Sequence, residues 1–184
     1  IISVGYDLVE FAPSFWNVHS GKKIIHIDFW PAEIDSDYPV DIDIVSDVAD
    51  ALWQINEELN VRHDAAGNLP LFDIGGRQKL RQAILDDFAM EKDDQSFPMK
   101  PQKVLWDVRE ALGPDDILLS DVGAHKMWIS RYYQCDTANT CLISNGFCSM
   151  GFALPGGMGA KIAEPDRKVL AICGDAGFLM NVQD

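Results

Sequence analysis

Basic residues are scarce in this sequence: 15 lysines and arginines stand against 29 aspartates and glutamates, a formal net charge of −14 over 184 residues. Such a balance repels nucleic-acid phosphates and anionic lipid surfaces, so no nucleic acid and no membrane is expected as a partner. No apolar run approaches the roughly 20 residues that a membrane helix needs, and no basic, apolar, small-residue leader opens the chain. Cysteine is confined to positions 135, 141, 148 and 173 without CxxC spacing, which fits reduced, structural thiols and a cytoplasmic setting. There are no internal repeats and no low-complexity tracts. A hydrophobic content of 47% is that of a globular rather than a disordered chain. Ile1 opens directly in an apolar run, and Asp184 follows Phe178-Leu-Met without a helix-ending signal. The sequence therefore reads as an internal piece of a longer protein.

What is present centres on Lys168-Val-Leu-Ala-Ile-Cys-Gly-Asp-Ala-Gly-Phe178. Val169 to Cys173 is short, apolar and β-branched enough for a buried strand, and it breaks at Gly174-Asp175-Ala176-Gly177. Asp175 thus stands at a strand's carboxyl end, where flanking glycines let the backbone approach a ligand. One hard oxygen there suits Mg²⁺ shared with a phosphate group, although Gly and Asp are also ordinary turn residues. Ile117-Leu-Leu-Ser-Asp121-Val-Gly123 and Cys141-Leu-Ile-Ser-Asn145-Gly146 end in the same way. In a parallel α/β sheet, three such ends lie on one edge and line one crevice.

The earlier chain reads as a strand at Ile1 to Gly5, a connection from Tyr6 to Phe11 and Pro13 to Trp16, a strand at Lys22 to Asp28, and a strand at Asp41 to Val45. A helix follows, with Ser46 as its expected N-cap and Val48, Leu52, Ile55 and Leu59 along one stripe. Residues 61–100 read as a bridge holding one helix, marked by Leu80, Ile84 and Phe88. A helix from Gln102 to Leu112 ends at Gly113-Pro114, and another spans His125 to Gln134. A helix from Pro155 carries Gly156, Gly157 and Gly159, a bare surface that can approach a sheet or a diphosphate closely. Gly157-Met-Gly159 is not a dinucleotide fingerprint, because no strand directly precedes it and a third glycine is out of register.

The run Ser144-Asn-Gly-Phe-Cys-Ser-Met-Gly-Phe-Ala-Leu-Pro155-Gly-Gly-Met-Gly-Ala160, followed by Gly174-Asp-Ala-Gly-Phe178, resembles the thiamine-diphosphate-binding domain of the acetolactate synthase and pyruvate oxidase family. Asp121-Val-Gly-Ala-His125-Lys-Met-Trp128 resembles the loop that precedes these segments. Ile27-Asp-Phe-Trp-Pro31 resembles a recurring element of the family's central domain. The resemblance implies an α/β fold of parallel sheets flanked by helices in two partial domains. Residues 1–60 would be the C-terminal part of the central domain, 61–100 a linker with a helix, and 101–184 the N-terminal part of the cofactor domain.

The same resemblance implies thiamine diphosphate and Mg²⁺ as cofactors and pyruvate or another 2-oxo acid as substrate. Asp175 would be the metal ligand, with a second ligand, an asparagine, downstream of Asp184. Gly123, Ala124 and His125 would contact the diphosphate, and Cys148, Ser149, Met150, Gly174, Asp175, Ala176 and Gly177 would complete the cofactor contacts. Met150, otherwise a gap-filling loop side chain, would prop the cofactor's rings into a bent arrangement and so serve catalysis, with the Cys148 carbonyl accepting from the pyrimidine amino group. The family most often has Gly-Asp-Gly where this chain has Gly174-Asp175-Ala176. Ile143 to Gly146 and Trp128 to Tyr132 look closer to the catabolic, flavin-independent branch, so FAD, an option for the full-length protein, is not supported by these residues. The implied protein is a homodimer or homotetramer of branched-chain amino acid biosynthesis. The family's activating glutamate lies outside this chain, so the chain alone is expected to be inactive. Another thiamine-diphosphate decarboxylase or carboligase is the rival within the class, and a non-enzymatic phosphate-binding α/β module the rival outside it.

Overall fold

The structure, a computed structural model, describes residues 1–8, 12–33, 35–66 and 74–183. Phe11, expected as an apolar anchor, and Gly67, expected in the bridge, lie outside them. The chain divides into two compact units, Ile1–Phe72 and Asp73–Asp184.

The first unit holds β1 (Ile2–Val4), α1 (Pro13–Trp16), β2 (Ile25–Asp28), β3 (Ile42–Val45) and α2 (Val48–Ala66). Its strands form a parallel sheet in the order β1-β2-β3. Ile27 is buried in the central strand, and His26 beside it bonds the Tyr38 hydroxyl at 2.9 Å, which also meets Ser3 Oγ at 2.5 Å. The N-cap of α2 differs from expectation. Asp47, not Ser46, takes that place, its Oδ1 accepting the Asp50 N–H at 2.9 Å. Both residue types cap well, and Asp47 adds a negative charge at the positive end of the helix. Ser46 instead donates its hydroxyl to the Asp47 carbonyl. The stripe of α2 is half open to solvent in this unit: Leu52, Ile55 and Leu59 are exposed, while Ala51 is buried.

The second unit holds α3 (Gly75–Met90), α4 (Pro101–Ala111), β4 (Ile117–Ser120), α5 (Ala124–Tyr132), β5 (Cys141–Ile143), α6 (Ala153–Ala163), β6 (Val169–Ile172) and α7 (Asp175–Met180). β4 is the middle strand, parallel to β5 on one side and β6 on the other. Every residue of β4 is buried, as a continuously apolar parallel strand requires. Period-two alternation divides the core: Leu118 joins Phe88, Leu105, Leu112, Ile129, Tyr132 and Tyr133, whereas Ile117 and Leu119 join Ala153. Helices α3, α4 and α5 thus supply one layer and α6 the other, an α/β architecture of parallel sheets flanked by helices.

The helix read within residues 61–100 is α3, and it packs into this unit. Phe88 stacks on Tyr132 with centroids 5.4 Å apart, and the Tyr132 hydroxyl donates to Asp87 at 2.7 Å. Leu80 points away, 65% exposed. Pro101 occupies the first turn of α4, where its missing N–H leaves no bond unmade. α6 begins at Ala153, two residues before the expected Pro155, so the proline falls within the first turn, whose N–H groups have no intrahelical partner. Its glycines meet the sheet. A Cβ on Gly156 would come 3.0 Å from Leu119 Cδ2, and one on Gly157 would come 3.6 Å from Ala171 Cβ. β6 was read through Cys173, but its pairing ends at Ile172, and it is half-buried because nothing among the described residues pairs with its outer edge.

Burial pushes the Cys141 thiol at the start of β5 up to about 12, with the Cys135 sulfur adding to the effect. The folded thiol stays protonated while the unfolded one ionises near its ordinary 9.0. Its contribution to stability is therefore present below 9 and lost as the pH climbs towards 12. Denaturant midpoints are expected to fall across that window, and to fall less steeply in Cys141→Ala; parallel curves would contradict this. Two α6 substitutions should separate in sign. Gly156→Val crowds Leu119 and is expected to cost about 1–3 kcal/mol, whereas Gly159→Ala, with open space around its Cβ, gains about 0.5–1 kcal/mol. Urea unfolding of both variants checks the pair.

Candidate functional site

Parallel pairing places the carboxyl ends of β4, β5 and β6 on one edge of the second unit, so Asp121, Asn145 and Asp175 all leave the sheet on that side. After β4 the chain turns through Gly123, at φ +150°, into α5. A side chain at 123 would be crowded as well as strained, since its Cβ would lie 2.8 Å from His125 Cε1. Ala124 is the first residue of α5, and His125 the second. The Lys126 N–H closes the turn on the Gly123 carbonyl at 3.0 Å. The His125 Nε2 atom is buried and has no hydrogen-bond partner among the described residues. The ring borders a cavity of about 230 Å³ lined by Met99, Pro101, Val104, Leu105, Trp128 and Ile172. It also reaches towards the β6 turn: a Cβ on Gly174 would meet His125 Cε1 at 3.8 Å.

After β5 the chain runs through Asn145 and Gly146 to Cys148, which holds the left-handed φ of +48°, and to Gly151 at φ +82°. A non-glycine residue in that region is strained and depends on its surroundings. Lys126 Nζ lies 3.3 Å from Cys148 Sγ, which ties the loop to α5. Ser149 and Met150 are exposed, Met150 to 46%. Gly151 is buried, its N–H donating to both carboxylate oxygens of Asp121 at 3.0 Å. Its carbonyl accepts from Asn181 Nδ2 at 2.6 Å.

After β6, Gly174 caps α7 and Asp175 is the first helical residue. Asp175 is exposed, with Oδ1 accepting the Ala176 N–H at 2.8 Å. Gly177 is buried against Asp121: a Cβ there would fall 2.5 Å from Asp121 Oδ2 and 3.6 Å from the Gly151 nitrogen. Cys173 lies nearby, its thiol pushed above the ordinary range by burial first and by the Asp121 charge second.

The structure thus gathers the expected residues in two joined groups. His125 meets both Gly123 and Gly174, and the Cys148 to Gly151 loop meets Gly177 through Asp121. Ser149, Ala124 and Ala176 sit on the same edge without side-chain bonds to the others. Asp121 was expected at this edge but without a role of its own, and Asn181 was not expected in the site. Asp121 has a signal in the sequence, a carboxylate ending the most buried strand. Asn181 has none, because its partner lies 30 residues away in the chain. Among the described residues no three His, Cys, Asp or Glu side chains gather as a metal cage, and no helix is long and apolar enough to cross a membrane.

Residues 121–184 match the family described as thiamine pyrophosphate enzyme, C-terminal TPP binding domain. The chain is 30% identical over its whole length to an acetolactate synthase of Bacillus subtilis (strain 168), of which it covers 31%. It is 34% identical over 90% of its length to a probable acetolactate synthase large subunit of Methanococcus aeolicus, covering 29% of that protein. It is 32% identical over 98% of its length to a catabolic acetolactate synthase of Raoultella terrigena, covering 32% of it. The chain spans about a third of the length of these curated relatives. The likeness to thiamine-diphosphate enzymes and to acetolactate synthases, read from three loops, therefore extends along the chain.

Gly177→Ala drives a methyl group into the Asp121 carboxylate and is expected to destabilise the fold by about 1–3 kcal/mol. The penalty should shrink when Asp121→Ala is added, giving a coupled double-mutant cycle. Additive losses would show that the two positions do not press on one another.

Proposed function

We propose that these residues serve a thiamine-diphosphate- and Mg²⁺-dependent enzyme of the acetolactate synthase type, which converts two pyruvates to 2-acetolactate and CO₂. The observation that carries this reading is the meeting, at one sheet edge, of the α5 start, the Met150 loop and the Asp175 turn. The donors fit the cofactor. The His125 Nε2 atom is buried without a partner among the described residues, and an anionic oxygen would satisfy it. Gly123 lacks the Cβ that would collide with that ring, so the backbone stays open to a diphosphate at the start of a nine-residue helix. Asp175 offers one exposed carboxylate, which suits an ion that takes one or two protein carboxylates and completes its shell from phosphate oxygens.

When bound, thiamine diphosphate supplies the sink for the electrons left as a 2-oxo acid loses CO₂. The chain's own residues bind and orient it. Gly123, Ala124 and His125 would hold the diphosphate end and Asp175 would ligate the metal, with Gly174 and Gly177 letting the turn lie close to His125 and Asp121. The Cys148 carbonyl would accept a hydrogen bond from the cofactor's amino group, and the Met150 side chain would support the rings from a loop held to the sheet through Asp121. Ser149 and Ala176 flank these contacts with short side chains. Pyruvate as substrate, a homo-oligomeric state, a cytoplasmic location and a place in branched-chain amino acid biosynthesis belong to the same proposal, as the family resemblance implies.

The reading is tested in the complete polypeptide that carries these residues, by titrating thiamine diphosphate with Mg²⁺ and assaying pyruvate for acetolactate and CO₂. Acetaldehyde as the product would move the assignment to a decarboxylase, and preference for another phosphorylated ligand would move it to a binding module. Asp175→Ala is expected to weaken Mg²⁺-dependent cofactor binding by more than about 100-fold, the upper range for loss of a mere outer-shell partner. Unchanged binding at limiting Mg²⁺ would remove Asp175 from the metal.

A further inference from the structure

The buried Asp121 carboxylate and the Asn181 amide grip one residue, Gly151, from opposite sides. Both Asp121 oxygens lie 3.0 Å from the Gly151 nitrogen, and Asp121 Oδ1 also accepts the Val122 N–H at 2.7 Å. Asn181 Nδ2 reaches the Gly151 carbonyl at 2.6 Å. The Asp121 bond fixes the peptide plane between Met150 and Gly151, and the Asn181 bond fixes the next plane. Glycine alone suits position 151, because φ is +82° and an added Cβ would strike Asn181 Nδ2 at 2.7 Å. The loop reaches this grip from Cys148, itself left-handed, so its shape is imposed by outside contacts. Asn181 ends α7, the helix that Asp175 begins, and Gly177 between them leans on Asp121.

We infer that Asp121 and Asn181 are positioning residues, which lock the Met150 loop to the Asp175 helix so that the apolar wedge and the metal-bearing turn keep one spacing before any cofactor arrives. Each acts through Gly151, the residue that both hold. The inference rests on the cofactor reading above and adds to it the groups that preorganise the two contacts, the role that outer-shell partners have in metal sites. A buried carboxylate is suited to the task because charge-assisted bonds to backbone N–H groups are shorter and stronger than neutral ones. One carboxylate also serves two segments, so displacement of either loop disturbs the other.

The test compares the unsubstituted complete polypeptide with Asp121→Asn, Asp121→Ala and Asn181→Ala in three measurements: amide hydrogen exchange, thiamine diphosphate affinity with Mg²⁺, and the near-ultraviolet circular dichroism of the bound cofactor. Exchange across residues 146–152 is expected to quicken about tenfold or more in the alanine variants, while β4 and β6 amides keep their protection. Affinity is expected to fall about 10- to 100-fold, and the cofactor's dichroic band should change shape. Asp121→Asn, which retains one acceptor, should recover part of what Asp121→Ala loses. Asn181→Ala, altered at the half-exposed end of the clamp, keeps the test open if the Asp121 variants fail to fold. Variants that bind cofactor as tightly as the unsubstituted protein, with the same band, overturn the inference. An unsubstituted protein that binds no thiamine diphosphate overturns the cofactor reading instead, and with it this extension.

Discussion

The arrangement of the second unit depends on one constraint: β4 must be hydrogen-bonded on both edges and covered on both faces. An apolar parallel strand has no wet side, so it requires neighbours on each edge and helices above and below. β5 and β6 meet the first demand, and α3, α4 and α5 on one face with α6 on the other meet the second. Because all three strands run the same way, every βα loop emerges on one edge. The convergence of Gly123, Met150 and Asp175 is therefore a consequence of core formation, and the chemistry occupies an edge that packing has already defined.

The two edges of that sheet are built differently. At the amino edge, Asp116 accepts the N–H groups of Gly113 and Lys168 at 2.7 and 2.8 Å, which holds its carboxyl below the ordinary range. Arg109 donates to the carbonyls of Leu112, Gly113 and Gln134, Lys168 Nζ to that of Ala111, and Arg167 to that of Asp115. Charged side chains there are consumed by backbone groups of neighbouring loops. At the carboxyl edge the bonds of the Gly151 loop converge instead on one buried carboxylate, Asp121, and one amide, Asn181, apart from the His125 Nε2 atom and the exposed Asp175 carboxylate.

Legibility followed the range of the interactions involved. The ends of β4, β5 and β6 were readable because an apolar run stopped by a polar residue and a glycine is a local signal, and the glycine surface of α6 foretold its close approach to Leu119 and Ala171. Local ambiguity accounts for the small displacements. Ser46 and Asp47 are both good caps, and charge at the helix start decides between them. Pro155 is tolerated throughout a first turn, so it does not mark where α6 begins. The stripe of α2 was clear as a pattern, yet its residues stay half open, since periodicity shows which face is apolar and not what covers it. Asn181 was invisible because its role exists only once residues 30 apart in the chain are brought together.

Ala176 shows how the structure changes the weight of a motif departure. Where the resembled family most often has glycine, this chain has a methyl group, which by motif alone casts doubt on the turn. The side chain at 176 is exposed and follows the first residue of α7, where alanine is the better helix former. The requirement for glycine falls one residue later, at 177, where a Cβ would lie 2.5 Å from the carboxylate that also holds Gly151. The Asp175 turn is thus kept close to the sheet by Gly177 and Asp121, and the exposed methyl group at 176 does not disturb that approach. A motif's glycines mark close approaches, and the approach that matters is identified by what the missing side chain would strike.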